Sequence, residues 1–430
     1  MKTKYMYIGI EVSTQCNARC PWCFTTKISE KEKSGQGKRA MSIDSFILVI
    51  ERLEALGLLH DDVLLNLYEI GEPFLNKDIV KIFRYLNGKS IKYAISTNAS
   101  LTLSFENDPD ALKNLSSLLI SIPGFSQESY NRVHGFEFDR IKNNIVKLLS
   151  DFRKNGFAGD ARLIYHVYQF NLNEIQRALA FAEENNIDFY PYYATLYEWQ
   201  YVRDYIDGTL PYDLLRKASG ELFLGNIQKT IDSRPSGFSC NFFDMLLVDI
   251  NGDLKTCCQI RKGAPNYSYG NIFDIAPDEI RRARTTQQIC RECQSKGMDY
   301  YLSVYTPFDL NVLRPGSPSG SGGPEGEVLK FLTENTGGEI VLFGAGEFGM
   351  KALSYLKGKN VKVSFFSDNS ALKIGRQFCG LQVIEPGSIL KRCANPRVII
   401  TTVNHKQVAN QLCQLGVKSV HYAPINMYGS

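Results

Sequence analysis

The chain has 430 residues, 44% of them apolar and 22% charged, with a formal net charge of +4; this is the profile of a globular protein with two or three separate cores, not of a disordered or fibrous one. The small charge comes without a dense Lys/Arg block, so nothing points to nucleic acid or an anionic membrane as the main partner, and the mixed-sign run from Ser29 to Arg39 reads as a solvated loop. No apolar run nears the length that spans a bilayer and no signal-peptide pattern precedes the first strand, so a cytoplasmic protein is expected; eleven cysteines in so long a chain suggest metal or redox chemistry rather than disulfides.

From Tyr5 to about Ala194, short β-rich runs alternate with longer helical patterns, the signature of βα units on a parallel sheet. Six strands are expected: Tyr7 to Ser13, Leu64 to Ile70, Lys92 to Thr97, Ser117 to Ile122, Arg162 to Tyr168 and Asp188 to Tyr193. Helical patterns such as Ile43 to Leu56 and Leu172 to Asn185 lie between them. The first strand leads directly into TQCNARCPWCF, where Cys16, Cys20 and Cys23 make a CxxxCxxC motif. Ferredoxin spacings supply four thiolates to a 4Fe-4S cube, so a motif that stops at three leaves one iron open to a ligand other than protein. A zinc site would pair such cysteines with a second CxxC or a His pair close by, and no further cysteine occurs before Cys240. The second strand is followed by Gly71-Glu72-Pro73, the third ends in Ser96-Thr97-Asn98, and Tyr168, Gln169 and Asn171 close the fifth. Aromatics crowd the stretch from Tyr190 to Tyr205, expected at the barrel mouth, although such runs are more often core than binding platform.

A second group of cysteines begins at Cys240, followed by an apolar strand pattern, Asp249-Ile250-Asn251-Gly252-Asp253, Cys257-Cys258, and then Cys290 and Cys293 in CRECQ. The NGD turn predicts a hairpin that sets Cys240 and Cys257 on facing strands, with the CxxC supplying two more thiolates. Four thiolates suit a structural zinc or a closed 4Fe-4S cluster equally by charge count. Spacing leaves open which of Cys257 and Cys258 is the ligand, though counting from Gly252 favours Cys257.

Arg314 to Glu327 is dense in Gly, Ser and Pro and reads as a flexible connector. Beyond it a strand from Ile340 to Phe343 runs into Gly344-Ala345-Gly346-Glu347-Phe348-Gly349, then a helical pattern, then a strand from Val361 to Phe366 ending in Ser367-Asp368. A GxGxxG in that context, with an acidic residue about twenty positions on, fits dinucleotide or nucleotide-sugar binding. Gly344, Gly346 and Gly349 would let a phosphate approach the helix N-terminus, with Asp368 as the acidic partner. About a hundred residues make only half a full dinucleotide fold, so the same glycines equally serve a docking or oligomerisation module. Cys379, Cys393 and Cys413 are widely spaced and are expected to be ordinary buried thiols.

On its CxxxCxxC loop, Gly71-Glu72-Pro73 and Ser96-Thr97-Asn98, the chain resembles the radical S-adenosylmethionine (SAM) enzymes. The resemblance implies an α/β fold with a partial (β/α)6 TIM-type barrel over residues 1–235 and chemistry at the C-terminal strand ends. It implies a SAM-binding 4Fe-4S cluster on Cys16, Cys20 and Cys23, adenine beside Trp22, the SAM ammonium at Gly71, Glu72 and Pro73, and ribose and carboxylate at Ser96, Thr97 and Asn98. Gln169 is a further expected contact. Ile70 stands where the family's GGEP motif has its first glycine. The implied chemistry is reductive cleavage of SAM, fed by a flavodoxin- or ferredoxin-type reductant, to a 5'-deoxyadenosyl radical that abstracts hydrogen from a substrate.

The second group, together with Tyr269-Gly270-Asn271-Ile272, resembles the auxiliary-cluster segment of SPASM and twitch proteins. This implies a second 4Fe-4S cluster in a small domain over residues 236–312, in the shorter twitch form because Asp299 occupies the next cysteine position. After a linker over residues 313–328, residues 329–430 resemble small Rossmann-like modules of bacterial sugar and glycan biosynthesis enzymes. The resulting expectation is oxidation or epimerisation of a small polar or nucleotide-linked substrate such as a sugar. In the epimerising version a hydrogen atom returns from Cys257 or Cys258, whichever is not a ligand, or from Tyr301 or Tyr300; no base is identifiable. One alternative is a peptide-modifying maturase, disfavoured because the first strand begins at Tyr7 without the leader-recognition domain such enzymes often carry. Another is a non-catalytic Fe-S scaffold or electron carrier, which would not need a SAM pocket.

Overall fold

The structure is a computed structural model that describes residues 5, 7–23, 39–105, 108–304, 338–358, 360–402 and 405–422. The chain divides into two compact units, Met1–Thr306 and Pro307–Ser430. Most of the mixed-charge run that starts at Ser29, and the whole expected linker over residues 313–328, lie outside the described residues.

The first unit is built on a nine-stranded sheet. Its first six strands are β1 (Tyr7–Ile10), β2 (Leu64–Asn66), β3 (Tyr93–Thr97), β4 (Leu115–Ile122), β5 (Asp160–Val167) and β6 (Asp188–Tyr193). They lie side by side in sequence order and all run parallel, the parallel-rich α/β arrangement of a partial TIM-type barrel. Ile8, Leu65, Ile95, Leu118, Ile120 and Leu163 are buried between sheet and helices. The helix Ile43–Ala55 shows why the local pattern suffices: Ser42 caps it by accepting from Ser45 N, and Phe46, Val49, Ile50 and Leu53 form one buried face.

Two expected strands are shorter than their sequence pattern. The first leaves the sheet after Ile10 and the second after Asn66, because the chains beyond them turn to make the cysteine loop and its partner. The expected helix from Leu172 to Asn185 is a 3-10 turn, Leu172–Glu174, joined to a helix Ile175–Glu184. Buried Glu174 is drawn toward β4's loop, where its carboxylate accepts from Phe125 N and from the Ser126 and Ser129 hydroxyls.

The boundary expected near residue 235 falls inside this unit. Strand β7 (Met245–Val248) pairs in parallel with β1, and β8 (Asp253–Lys255) and β9 (Ser268–Asn271) continue the sheet antiparallel. The NGD sequence does turn the chain between β7 and β8: Asp249 Oδ1 accepts from Asn251 N and Asp253 N, and Gly252 takes φ 85°. The hairpin carries neither thiol, since Cys240 precedes β7 and Cys257 follows β8.

The second unit has six strands: β10 (Ile340–Phe343), β11 (Val363–Ser367), β12 (Gln377–Phe378), β13 (Leu381–Ile384), β14 (Arg397–Ile400) and β15 (Ser419–Tyr422). The order is β12-β13-β11-β10-β14-β15, parallel except at β12. Strand order reverses between β10 and β14, as in open doubly wound sheets. Ile340 and Leu342 pack into one apolar layer and Val341 and Phe343 into the other, so β10 is buried on both faces. Cys379 and Cys413 are exposed, against expectation, and only Cys393 is buried. Cys379 and Gly380 make the two-residue turn between β12 and β13, both at positive φ, a position that projects its side chain into solvent. Among the described residues no helix is long and apolar enough to cross a membrane.

Candidate functional site

The loop bearing Cys16, Cys20 and Cys23 leaves the C-terminal end of β1 and is pinned by backbone contacts. Asn76 Nδ2 donates to Val12 O at 2.7 Å and Met41 O at 2.8 Å, and Glu72 N donates to Gln15 O at 2.6 Å. Gly71 makes the second contact possible, since a Cβ there would lie 2.1 Å from Ser13 O and 2.8 Å from Gln15 O. Glu72 is 3% exposed. Its carboxylate ties the turn after β2 to the end of β3, with Oε1 accepting from Phe74 N at 3.1 Å and Thr97 Oγ1 at 2.8 Å and Oε2 from Asn98 N at 2.8 Å. Burial pushes Glu72 up to about 7 against these three donors. Asn98 Nδ2 reaches Asn17 Oδ1 at 3.0 Å and lies 3.9 Å from Cys16 Sγ, while Asn17 also bonds Ser100. Gly71, Glu72, Thr97 and Asn98 thus gather at the cysteine loop, with Pro73 buried beside them and Ser96 half-buried on β3.

The three thiols interact electrostatically; burial pushes Cys16 up to about 11 and Cys20 higher still. Trp22 is buried, its indole Nε1 donating to Glu221 Oε2 at 2.7 Å, with Lys217 Nζ 5.5 Å from the ring centroid. Tyr168 lies near Cys20 and Cys23, and Tyr197 hydrogen-bonds Cys23. Sequence reasoning missed Tyr197, whose only signal was its place in an aromatic-rich run. Gln169 differs from its expectation: its amide caps the helix Tyr212–Glu221 through Ser219 O and Leu222 O.

The second cysteine group surrounds a cavity of about 30 Å³ lined by Cys240, Cys257, Cys290, Cys293, Arg284 and Asp299, among others. Cys290 and Cys293 lie one turn apart on the helix Gln288–Ser295. Cys257 accepts from Cys258 and from Gln259 N at 3.4 Å, which lowers it; donating to Cys257 raises Cys258. Cys257 lines the cavity with Cys240, Cys290 and Cys293, whereas Cys258 does not; Lys255 acts on both thiols and Glu69 on Cys258. Arg284, 2% exposed, donates to Thr256 O and Met245 O and keeps a buried, unpartnered Nη2 at the cavity. Asp299 closes a two-pronged ion pair with Arg234, both contacts 2.8 Å. Tyr301, expected as a hydrogen-atom donor, is buried with its hydroxyl bonded to Leu196 O and Thr195 Oγ1, a packing role. Tyr300 stacks edge-on against Phe238. Among the described residues no three His, Cys, Asp or Glu side chains converge on a single metal ion. Thiols spread around a cavity that is also lined by an arginine with an unpartnered guanidinium nitrogen fit an anionic polynuclear cluster in which each iron takes one thiolate.

In the second unit Gly344 takes φ 118°, and a Cβ on Gly349 would lie 2.0 Å from Gly344 O, so both glycines serve a close strand-to-helix approach. A Cβ at Gly346 meets nothing within 4 Å. Asp368 departs from its expected role. Its carboxylate accepts from Ala345 N at 2.8 Å, Ser370 N at 2.9 Å and Lys373 Nζ at 3.0 Å, and so holds the glycine loop itself.

Residues 10–182 match the radical SAM superfamily. No curated protein matches the sequence. The chain is similar to the solved structure of Streptococcus suis SuiB bound to precursor peptide SuiA, at 16% identity and TM-score 0.45, covering 74% of each chain. It is also similar to BtrN in complex with AdoMet and 2-DOIA, at 15% identity and TM-score 0.37, covering 70% of this chain and 90% of that one. Members of the superfamily use a 4Fe-4S cluster and SAM. Residues 10–182, which carry the three-cysteine loop, Glu72 and the Thr97-Asn98 strand end, are a radical SAM superfamily domain.

Proposed function

We propose that the chain is a cytoplasmic radical SAM enzyme that oxidises or epimerises a small polar or nucleotide-linked substrate of the sugar kind. Cys16, Cys20 and Cys23 would hold the SAM-binding 4Fe-4S cluster. Cys240, Cys257, Cys290 and Cys293 would hold a second, twitch-type cluster with the Arg284 guanidinium beside it. When bound, the first cluster with SAM supplies a 5'-deoxyadenosyl radical able to take hydrogen from the substrate. Glu72 then acts chiefly by fixing the SAM-facing loop, its carboxylate being held by Phe74, Thr97 and Asn98. Cys258, which bonds Cys257 but does not line the cavity shared by the other four thiols, is the hydrogen-atom donor in the epimerising version. In the second unit the open side of Gly346 is where a phosphate would approach, without help from Asp368.

One observation carries this reading: Cys20 and all five cysteines of the second group pack against a single buried cluster containing Trp22, Tyr168, Trp199, Ile260 and Ile289. Two thiol groups sharing one core suit a site in which substrate chemistry and electron removal are neighbours. The test is anaerobic reconstitution with iron and sulfide, then 5'-deoxyadenosine assay with dithionite and SAM. About eight irons per chain are expected, falling to about four, with loss of 5'-deoxyadenosine, when Cys16, Cys20 and Cys23 are all replaced by alanine. Bound zinc in place of iron, or no SAM cleavage by the unaltered chain, would refute it.

A further inference from the structure

Charged side chains that the sequence did not mark as functional meet inside the first unit. Glu11 directly follows β1, and its backbone N–H donates to Val248 O at the end of β7 at 2.9 Å. Glu69 follows β2; its Oε1 lies 2.7 Å from where a Cβ at position 9 would be, so Gly9 on β1 makes room for the carboxylate. Lys255 on β8 is fully buried and places Nζ 3.1 Å from Glu69 Oε2. Asp249, also fully buried, receives Lys262 Nζ at 3.3 Å and Tyr267 Oη at 3.4 Å.

Three carboxylates therefore face two ammonium groups. Glu69 pairs with Lys255 and Asp249 with Lys262, which leaves Glu11, 1% exposed, with an Oε1 that has no hydrogen-bond partner. A carboxylate buried without its own counter-ion takes up a proton rather than remain charged. Burial pushes Glu11 up to about 7; Lys255 and Lys262 oppose the rise, while Glu69 and Asp249 add to it. Cys258 is close enough to Glu69 and Lys255 to feel both charges, so the group reaches the second thiol set.

We propose that Glu11, Glu69 and Lys255 form a proton-exchange site, in which Lys255 holds Glu69 as a carboxylate and Glu11 carries the exchangeable proton. The proposal rests on the reading that the substrate is oxidised. Oxidation of an alcohol to a carbonyl would pass the C–H hydrogen atom to the 5'-deoxyadenosyl radical, the O–H proton to a base with its electron pair left on oxygen, and the one remaining electron to the second cluster. Ionised Glu11 is that base, and a group with both forms populated near neutral pH suits acid–base work.

The test is an infrared titration of the full-length chain from about pH 5 to about pH 9. Protonated-carboxyl stretches from Glu11 and from Glu72 are both expected to disappear with midpoints near neutrality; the Glu11 component is the part lost in Glu11→Gln, and Glu72→Gln should leave it in place. In Glu69→Gln, Lys255 has Glu11 as its remaining glutamate, and the midpoint should fall by about one unit or more. A spectrum that loses no component in Glu11→Gln, or a Glu11 midpoint that does not move in Glu69→Gln, would overturn the assignment. The second variant keeps the test decisive if the first fails to fold. Assaying 5'-deoxyadenosine in the same preparations separates the two ideas. Normal SAM cleavage without a Glu11 band ends the proton site alone, and absent SAM cleavage ends the enzymatic reading whatever the titration shows.

Discussion

Replacing Gly71 by alanine tests whether the cysteine loop depends on main chain meeting main chain. The added Cβ would lie 2.1 Å from Ser13 O, 2.7 Å from Ser13 C and 2.8 Å from Gln15 O, where real Cβ contacts stay above 3.0 Å. All three atoms are backbone and cannot rotate aside, so the two segments must separate by about 1 Å in a close-packed interior. That movement breaks the 2.6 Å bond from Glu72 N to Gln15 O and shifts the carboxylate that holds Thr97 and Asn98. Overpacking costs about 1–3 kcal/mol and the lost hydrogen bond about 1 kcal/mol. The first unit should thus lose about 2–4 kcal/mol, read as a lower urea midpoint. A displacement of about 1 Å at a reacting centre costs about a hundredfold in rate, so SAM cleavage should fall by that order. Gly346→Ala, whose Cβ meets nothing within 4 Å, is the control and should change stability by less than about 0.5 kcal/mol. Unchanged urea midpoint and SAM cleavage in Gly71→Ala would refute the reasoning.

Asp299→Asn keeps the side chain's shape but removes the charge from a pair whose acid is 1% and whose arginine is 25% exposed. It should cost about 2–3 kcal/mol in chemical denaturation, and a loss below about 0.5 kcal/mol would show that the fork with Arg234 does not hold this region together. Glu11→Gln should show a pH-dependent gain. An acid raised from 4.5 to about 7 in the folded state contributes its full stability below the unfolded value and loses it as pH rises through the folded one. The glutamine variant should therefore match the wild type near pH 4 and exceed it by about 3 kcal/mol near pH 8. Equal stability at both pH values would contradict the buried position given to Glu11.

Local pattern decided much of this protein without help from the rest of the chain. Alternation and turn chemistry located β3, β6 and β10 to within a residue, Ser42 and the spaced apolar positions located the first long helix, and the CxxxCxxC spacing identified the superfamily of residues 10–182. Such signals survive in sequence because the interactions behind them span only a few residues. What a side chain does once placed was not legible in the same way. Cys257 and Cys258 are neighbours in sequence, and only the packing of the segment after β8 against the helix Gln288–Ser295 sets one on the cavity lined by Cys240, Cys290 and Cys293 and leaves the other, on which Glu69 acts, off it. Gln169, Tyr301 and Asp368 each looked available for ligand or substrate, yet each is taken up by a partner that no spacing rule reveals. Glu11, Glu69, Lys255 and Arg284 carried no motif at all. Their significance comes from burial and from distances between residues far apart in the chain, and charge balance in a low-dielectric interior is set by tertiary structure alone.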